Sequence, residues 1–329
     1  MVNKKLILGV LLVTVMAGCA GALGGGNNPI DQVPEDAEMV VYIDSDELQD
    51  DTETTALSEF GQSAGMWTQE EAAEEFEDET DIDPEGIDTM TVFASDLDSV
   101  ESNQEPEGAA IAHGSFDTES VTEYIEDEGD ELEEEEYNGK TIYIEENEYG
   151  QDTAIGILDD GQVAVGTEDS IESVIDVNAG DENALGGDLR SEYNEIKSNA
   201  LLGMAVEVPD VDETIEQANR GGPEGIDLTV FESVEMMSFQ YATPDGNIDM
   251  TTRFQSDSES DAEDLSSVVD SATVLYGDTG IPEADEEIDK VEVSQEGNSV
   301  TVNYETQVDN IEDLQEALEN PSPQTQPVP

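Results

Sequence analysis

Beyond residue 30, the apolar residues of this chain come in short blocks of strand length. Met39–Ile43 reads MVVYI, Thr89–Phe93 reads TMTVF, and Gly108–Gly114 reads GAAIAHG. Each block is closed by acidic or turn-forming residues, and continuous apolar runs of this length mark strands buried on both faces. Lys140–Glu145, Thr153–Leu158 and Gln162–Gly166 read as three further strands. Asp159-Asp160-Gly161 joins the last two, and an Asp-Gly pair between apolar runs is a strong hairpin signal. Links this short force antiparallel pairing, because a parallel crossover needs a dozen residues or more.

Helical periodicity fills the gaps between these strands. Residues 52–79 carry Leu57, Phe60, Ala64, Ala72, Ala73 and Phe76 at helical spacing, and Met66-Trp67 falls between two such stretches. A helix starts near Asp117 with Val121, Tyr124 and Ile125 inward, and Glu126–Glu136 reads as a solvated charge block. Thr167-Glu168-Asp169 caps a helix carrying Ile171, Val174, Ile175 and Val177. Gly180 and Gly186-Gly187 mark the expected boundary between two halves.

The second half repeats the mixture. A helix from Asp188 to Lys197 precedes strand Leu201–Val208, and a further helix runs from Pro209 through Ala218. Val234–Ala242 and Asn247–Phe254 form a hairpin across Thr243–Gly246, followed by a helix from Glu259 to Leu275. Lys290–Ser294 pairs with Ser299–Tyr304, and Asn310–Leu318 is the last helix. Pro-Glu-Gly-Ile-Asp occurs at 84–88 and again at 223–227, each copy followed by Thr-Val-Phe. With the order of elements around it, this predicts an internal duplication. The expected fold is α+β: two similar units, antiparallel sheets with helices packed on one face. The units span 33–186 and 187–319, and 320–329 is a disordered Pro-rich tail.

Charge sets the environment. The chain carries 85 acidic residues against 8 basic ones, a formal net charge of −77. In dilute buffer such an excess argues for disorder, yet the apolar residues here are periodic rather than scattered. Concentrated salt removes the conflict, because at 1 M the Debye length is only about 3 Å. Scarce lysine and abundant Asp and Glu resemble proteins of extreme halophiles, which points to a salt-in haloarchaeon. The same charge excludes a nucleic-acid footprint.

Residues 1–18 combine Lys4-Lys5, an apolar run from Leu6 to Ala17 and small residues before Cys19. That is the layout of a secretory signal, and its apolar run falls short of the ~20 residues a membrane-spanning helix needs. Cleavage before Cys19 resembles processing at a lipobox. The resemblance implies a two-chain isoprenoid lipid on the sulfur, export by the general secretory route, and anchoring on the outer face of the cell membrane. Cys19 is the only cysteine, so no intrachain disulfide can form. Residues 19–32 are the lipidated cysteine and a glycine-rich flexible tether.

The entry Val33-Pro34-Glu35-Asp36-Ala37, the Pro-Glu-Gly-Ile-Asp turn and the helix start Val165-Gly166-Thr167-Glu168-Asp169 resemble an uncharacterised group of haloarchaeal exported lipoproteins. The resemblance spans most of the mature chain, and it brings no activity and no cofactor.

No residue pattern marks a catalytic centre. His113 is the only histidine and lacks an accompanying G-x-S-x-G nucleophile. Asp81, Asp83, Glu85 and Gly86 match part of a calcium loop, but its twelfth position falls on Val92 where a bidentate glutamate is required. These acids are weak metal candidates and otherwise a solvated loop. With 85 acids, any carboxylate spacing arises by chance. The expectation is a non-enzymatic surface lipoprotein with a binding or scaffolding role. The alternatives are a transporter's solute-binding lipoprotein and, third, a carboxylate-dependent hydrolase.

Overall fold

In the computed structural model the residues described are 29–50, 86–97, 106–116, part of 118–125, 132–145, 151–208, 228–277 and 279–319. They form two compact units that divide after Pro209, and the fold is mixed α+β with antiparallel strand pairing. The leader, Cys19, the helix expected over 52–79, Met66-Trp67, the second Pro-Glu-Gly-Ile-Asp copy and the tail at 320–329 lie outside the described residues.

The first unit holds one large sheet. Its strands are β1 (Met39–Asp44), β2 (Ile87–Ser95), β3 (Glu107–Gly114), β4 (Glu133–Tyr137), β5 (Lys140–Glu145), β6 (Thr153–Asp159), β7 (Gln162–Thr167) and β8 (Leu202–Glu207). Their spatial order is β8-β1-β2-β3-β7-β6-β5-β4, every neighbouring pair antiparallel. The helices are α1 (Ser45–Asp50), α2 (Glu168–Ala179) and α3 (Gly187–Asn199). The central strands are buried on both faces, with Val40, Val41, Tyr42 and Ile43 all in the core, and this is why MVVYI has no alternation.

Helices α2 and α3 cover the same face of this sheet. Against α2 the sheet is lined by small residues: a Cβ at Gly156 would lie 2.7 Å from Ile171 Cγ2, so β6 admits the helix only with glycine there. Helix α2 buries Ile171, Val174, Ile175 and Val177, the four positions its periodicity predicts. Thr167 holds the N-cap position without capping the backbone; its hydroxyl donates to Ser170 Oγ at 2.8 Å instead. Gly180 ends the helix in the left-handed region at φ 81°.

Three expectations are corrected in this unit. The break at Gly186-Gly187 does not separate the units: β8 pairs with β1 from Leu202 to Val206, and α3 packs on both strands, which holds 187–208 in the first unit. The tether ends earlier than Gln32. Pro29–Gln32 is a 3-10 turn with Ile30 fully buried, and a Pro34–Ala184 bridge and the Arg190–Asp31 ion pair fasten the segment. Finally, Glu133–Tyr137 is no charge block but the edge strand β4, paired with β5 through Glu133↔Ile144 to Tyr137↔Lys140. Pairing and solvation coexist there because Glu133–Glu136 are all exposed.

The second unit has β9 (Val234–Ala242), β10 (Asn247–Ser256), β11 (Glu292–Glu296) and β12 (Ser299–Gln307) in the order β11-β12-β10-β9, again antiparallel. Its helices are α4 (Glu259–Tyr276), α5 (Pro282–Ile288) and α6 (Val308–Glu319). Helix α4 is capped by Ser258, whose side chain accepts from Asp261 N–H, and it packs on β10, β11 and β12. Helix α5 fills the interval between the predicted helix and the predicted strand on either side of it, with Pro282 in its first turn. The two Thr-Val-Phe copies are not equivalent: Thr91–Phe93 lies inside β2, whereas Thr229–Phe231 lies in a 3-10 turn at Leu228–Ser233.

Candidate functional site

Two polar assemblies stand out, one in each unit. In the first, Gln162 on β7 faces His113 on β3, where the two are direct register partners. The Gln162 amide donates to His113 Nδ1 at 2.9 Å and to Gln32 Oε1 at 3.0 Å. The Gln32 amide donates back to Gln162 Oε1 at 3.1 Å and on to Asn178 Oδ1 at 3.0 Å. Both glutamine amides thus have acceptors for their hydrogens, so the imidazole nitrogen that Gln162 reaches must be unprotonated. Burial, reinforced by the positive charge of Lys197, pushes His113 down to about 4. The paired amides of Gln32 and Gln162 tie the 3-10 turn at Pro29–Gln32 to the sheet, and His113 anchors Gln162. Sequence reasoning placed this histidine on a strand and found no partner, because Gln32 and Gln162 are far from it in the chain.

Because His113 is the sole histidine, its titration reads out cleanly. Its imidazole signal in NMR is expected to titrate with a midpoint near 4 rather than 6.5. Between those values the unfolded chain binds the proton and the folded chain does not, so this group's share of stability is whole above pH 6.5 and falls as pH drops toward 4. A midpoint above 6 would mean the amide chain does not hold the ring neutral.

The second assembly is a groove of about 610 Å³ in the second unit, on one face of β10 and β12. Three register pairs make its floor: Asn247↔Gln307, Asp249↔Glu305 and Thr251↔Asn303. Side chains at alternate positions share a face, so the whole floor is polar. Asn247 Nδ2 donates to Glu305 Oε1 and Thr251 Oγ1 donates to Asn303 Oδ1, each at 3.0 Å. Burial, and then the Glu305 charge directly opposite, raise the Asp249 carboxyl above its ordinary value.

A paired network borders the groove. Lys290 donates to Glu287 Oε1 at 2.6 Å and to Thr306 Oγ1 at 2.8 Å, while Tyr304 donates to Glu287 Oε2 at 2.7 Å. Asn310 Nδ2 donates to the same threonine oxygen at 3.2 Å. Burial alone would raise Glu287; the hydrogen bonds from Lys290, Tyr304 and Thr306 outweigh it and hold the carboxylate below its usual range. The network holds α5, β12 and α6 together on the face of β12 opposite the floor, and its Lys290, Thr306 and Asn310 reach the rim of the groove.

Of the other residues singled out in the sequence, Cys19 and the weak metal candidates Asp81, Asp83 and Glu85 lie outside the described residues. Among the described residues no three His, Cys, Asp or Glu side chains are grouped to hold a metal, and no helix is long and apolar enough to cross a membrane. The groove carried no sequence signal: Asn, Asp, Thr and Glu on alternate strand positions look like any solvated face until the strands pair.

No protein-family model matches the chain, and no curated protein sequence does. Among solved structures, crystal forms IV and III of TP0453 align at 10% identity and a TM-score of 0.48, covering 89% of this chain and 97% and 100% of theirs. Crystal form I of the same protein aligns with a TM-score of 0.46 at 10% identity, covering 89% of this chain and 99% of its own.

Proposed function

We propose that this is a lipid-anchored, non-enzymatic binding protein on the outer face of a haloarchaeal cell membrane. The observation that carries the reading is the leader: Lys4-Lys5, the short apolar run and Ala17-Gly18 immediately before the chain's only cysteine. A two-chain lipid on Cys19 gives a stable anchor where one chain would hold only reversibly. The body fits that role. Its surface is acidic enough to be repelled by an anionic membrane, its one histidine is spent in a closed amide chain, and Pro29–Gln32 packs against the body a short distance along the chain from Cys19.

Topology supports an internal duplication. In the first unit, strands in the order β2-β3-β7-β6 include one, β7, that runs straight into the amphipathic helix α2. In the second, β9-β10-β12-β11 has the same order of connections, and β12 runs straight into α6. β4 and β5 are then an addition to the first copy.

Expression in a halophilic host tests the anchor. The wild-type chain is expected in the membrane pellet and released by detergent, with a mass increment on its N-terminal cysteine. Cys19→Ser is expected in the medium or soluble fraction. Identical fractionation of the two chains would refute lipid anchoring.

A further inference from the structure

The proposed duplication gives the groove a reference within the same chain. Glu168 and Val308 are the first residues of the two equivalent helices. Counting back from each, Val165 matches Glu305 and Val163 matches Asn303. The partners agree, because Val165 faces Ala110 and Val163 faces Ala112, where Glu305 faces Asp249 and Asn303 faces Thr251. In the first unit these four positions are Ala110, Ala112, Val163 and Val165, of which the first three are buried. In the second unit the same four hold two carboxylates, an amide and a hydroxyl around an open groove. A face that is apolar and covered in one copy is polar and accessible in the other.

We infer that this groove is a ligand site of the second unit, and that its ligand is a neutral, hydroxyl-rich molecule of the oligosaccharide class. The inference rests on the reading of the body as a binding module and names the site and chemistry. No apolar or aromatic residue lines the groove to receive a lipid or a hydrophobic peptide. An anion meets Asp249, Glu292 and Glu305, while the only cation in the lining, Lys290, is already paired with Glu287. Hydroxyl groups satisfy what remains: they donate to the carboxylates and accept from the amides of Asn247, Asn303 and Asn310. Glu305 and Asn303 are partly engaged by their neighbours, which fixes their orientation and lowers the entropy cost of binding. Hydrogen bonding of this kind also survives molar salt, in which attraction between exposed charges is screened beyond about 3 Å.

The test uses the full mature chain in molar KCl, titrated with maltotriose, cellotriose and N,N′,N″-triacetylchitotriose while ¹H–¹⁵N spectra are recorded. Saturable shifts of the Asn247, Asn303 and Asn310 side-chain amides are expected with at least one probe. Asp249→Asn and Asn303→Ala should each weaken that binding about tenfold or more, whereas Glu134→Gln on the edge strand β4 should leave it unchanged. The wild-type shifts keep the test valid should a variant fold poorly. Absence of saturable shifts with all three sugars, or binding that maps elsewhere and ignores both groove variants, overturns the inference. Cleavage of a probe that is abolished by Asp249→Asn would support the site while overturning the non-enzymatic reading, so the two fail separately.

Discussion

Transfer from molar KCl to about 0.01 M salt is expected to abolish cooperative unfolding of this protein, because the Debye length grows roughly from 3 to 30 Å over that range. The acids are packed closely enough for the change to matter. Glu133–Glu136 are consecutive and exposed on β4. Across from them, burial and the charges of Asp152, Asp169 and Glu135 raise Glu168, and burial together with Glu168, Asp169, Asp176 and Glu135 raises Glu172. Ion pairs such as Arg190–Asp31 and Lys290–Glu287 offset little of a charge of −77. Typical domains have only about 5–15 kcal/mol of stability to lose, and self-repulsion at a net charge of −77 acts directly against the compact state once it is no longer screened. The pH dependence has a defined sign. Carboxyls whose folded values lie above their unfolded ones contribute stability at low pH that is lost as pH rises through the folded value. Mild acidification at low salt should therefore partly restore folding, opposed between pH 6.5 and about 4 by the loss of His113's share. Thermal melts monitored by circular dichroism decide the matter, and a sharp transition unchanged in dilute buffer would defeat the halophilic reading.

The second large effect is expected at Tyr193. This residue of α3 is fully buried, its ring meets Tyr42 edge-on with centroids 5.8 Å apart, and its hydroxyl lies 2.7 Å from Thr91 Oγ1. Burial pushes the phenol well above its ordinary range, so it remains a neutral hydroxyl at any working pH. Tyr193→Ala empties an aromatic-sized volume, for which core truncations cost about 3–5 kcal/mol. It also strands the Thr91 hydroxyl, which is completely buried. Tyr193→Phe keeps the ring and loses only the hydrogen bond, at about 1–3 kcal/mol. Urea unfolding in molar KCl measures both. A loss below about 1 kcal/mol for Tyr193→Ala would mean that α3 is not anchored through this residue.

Much of the architecture was legible because its signals are local. Asp159-Asp160-Gly161 sets the β6–β7 hairpin, with Gly161 at φ +66° where a side chain would be strained. The spacing of Ile171, Val174 and Ile175 foretells the buried face of α2. Apart from β4, strand positions were read to within three residues, since a buried strand must be apolar whatever it pairs with. Where the reading went astray, a distant partner decided the outcome. Glu133–Glu136 look like solvated coil, and only pairing with β5 makes them a strand. Pro29–Gln32 looks like the end of a tether, and only the pocket against α2 and the amide of Gln162 bury it. The glycines at 186 and 187 look like a hinge, but pairing of β8 with β1 keeps residues 187–208 in the first unit.

By itself, the sequence determined the alternation of short strands with helices, and it alone carries the proposed export address at Cys19 and the proposed demand for salt. Each of these is read from composition or from neighbours a few residues apart. Tertiary structure alone decided which strands lie side by side, and so brought His113 to Gln162 and set Asp249 opposite Glu305. Residues about fifty positions apart share a site through strand register, and register is fixed by the collective burial of whole faces rather than by any single residue.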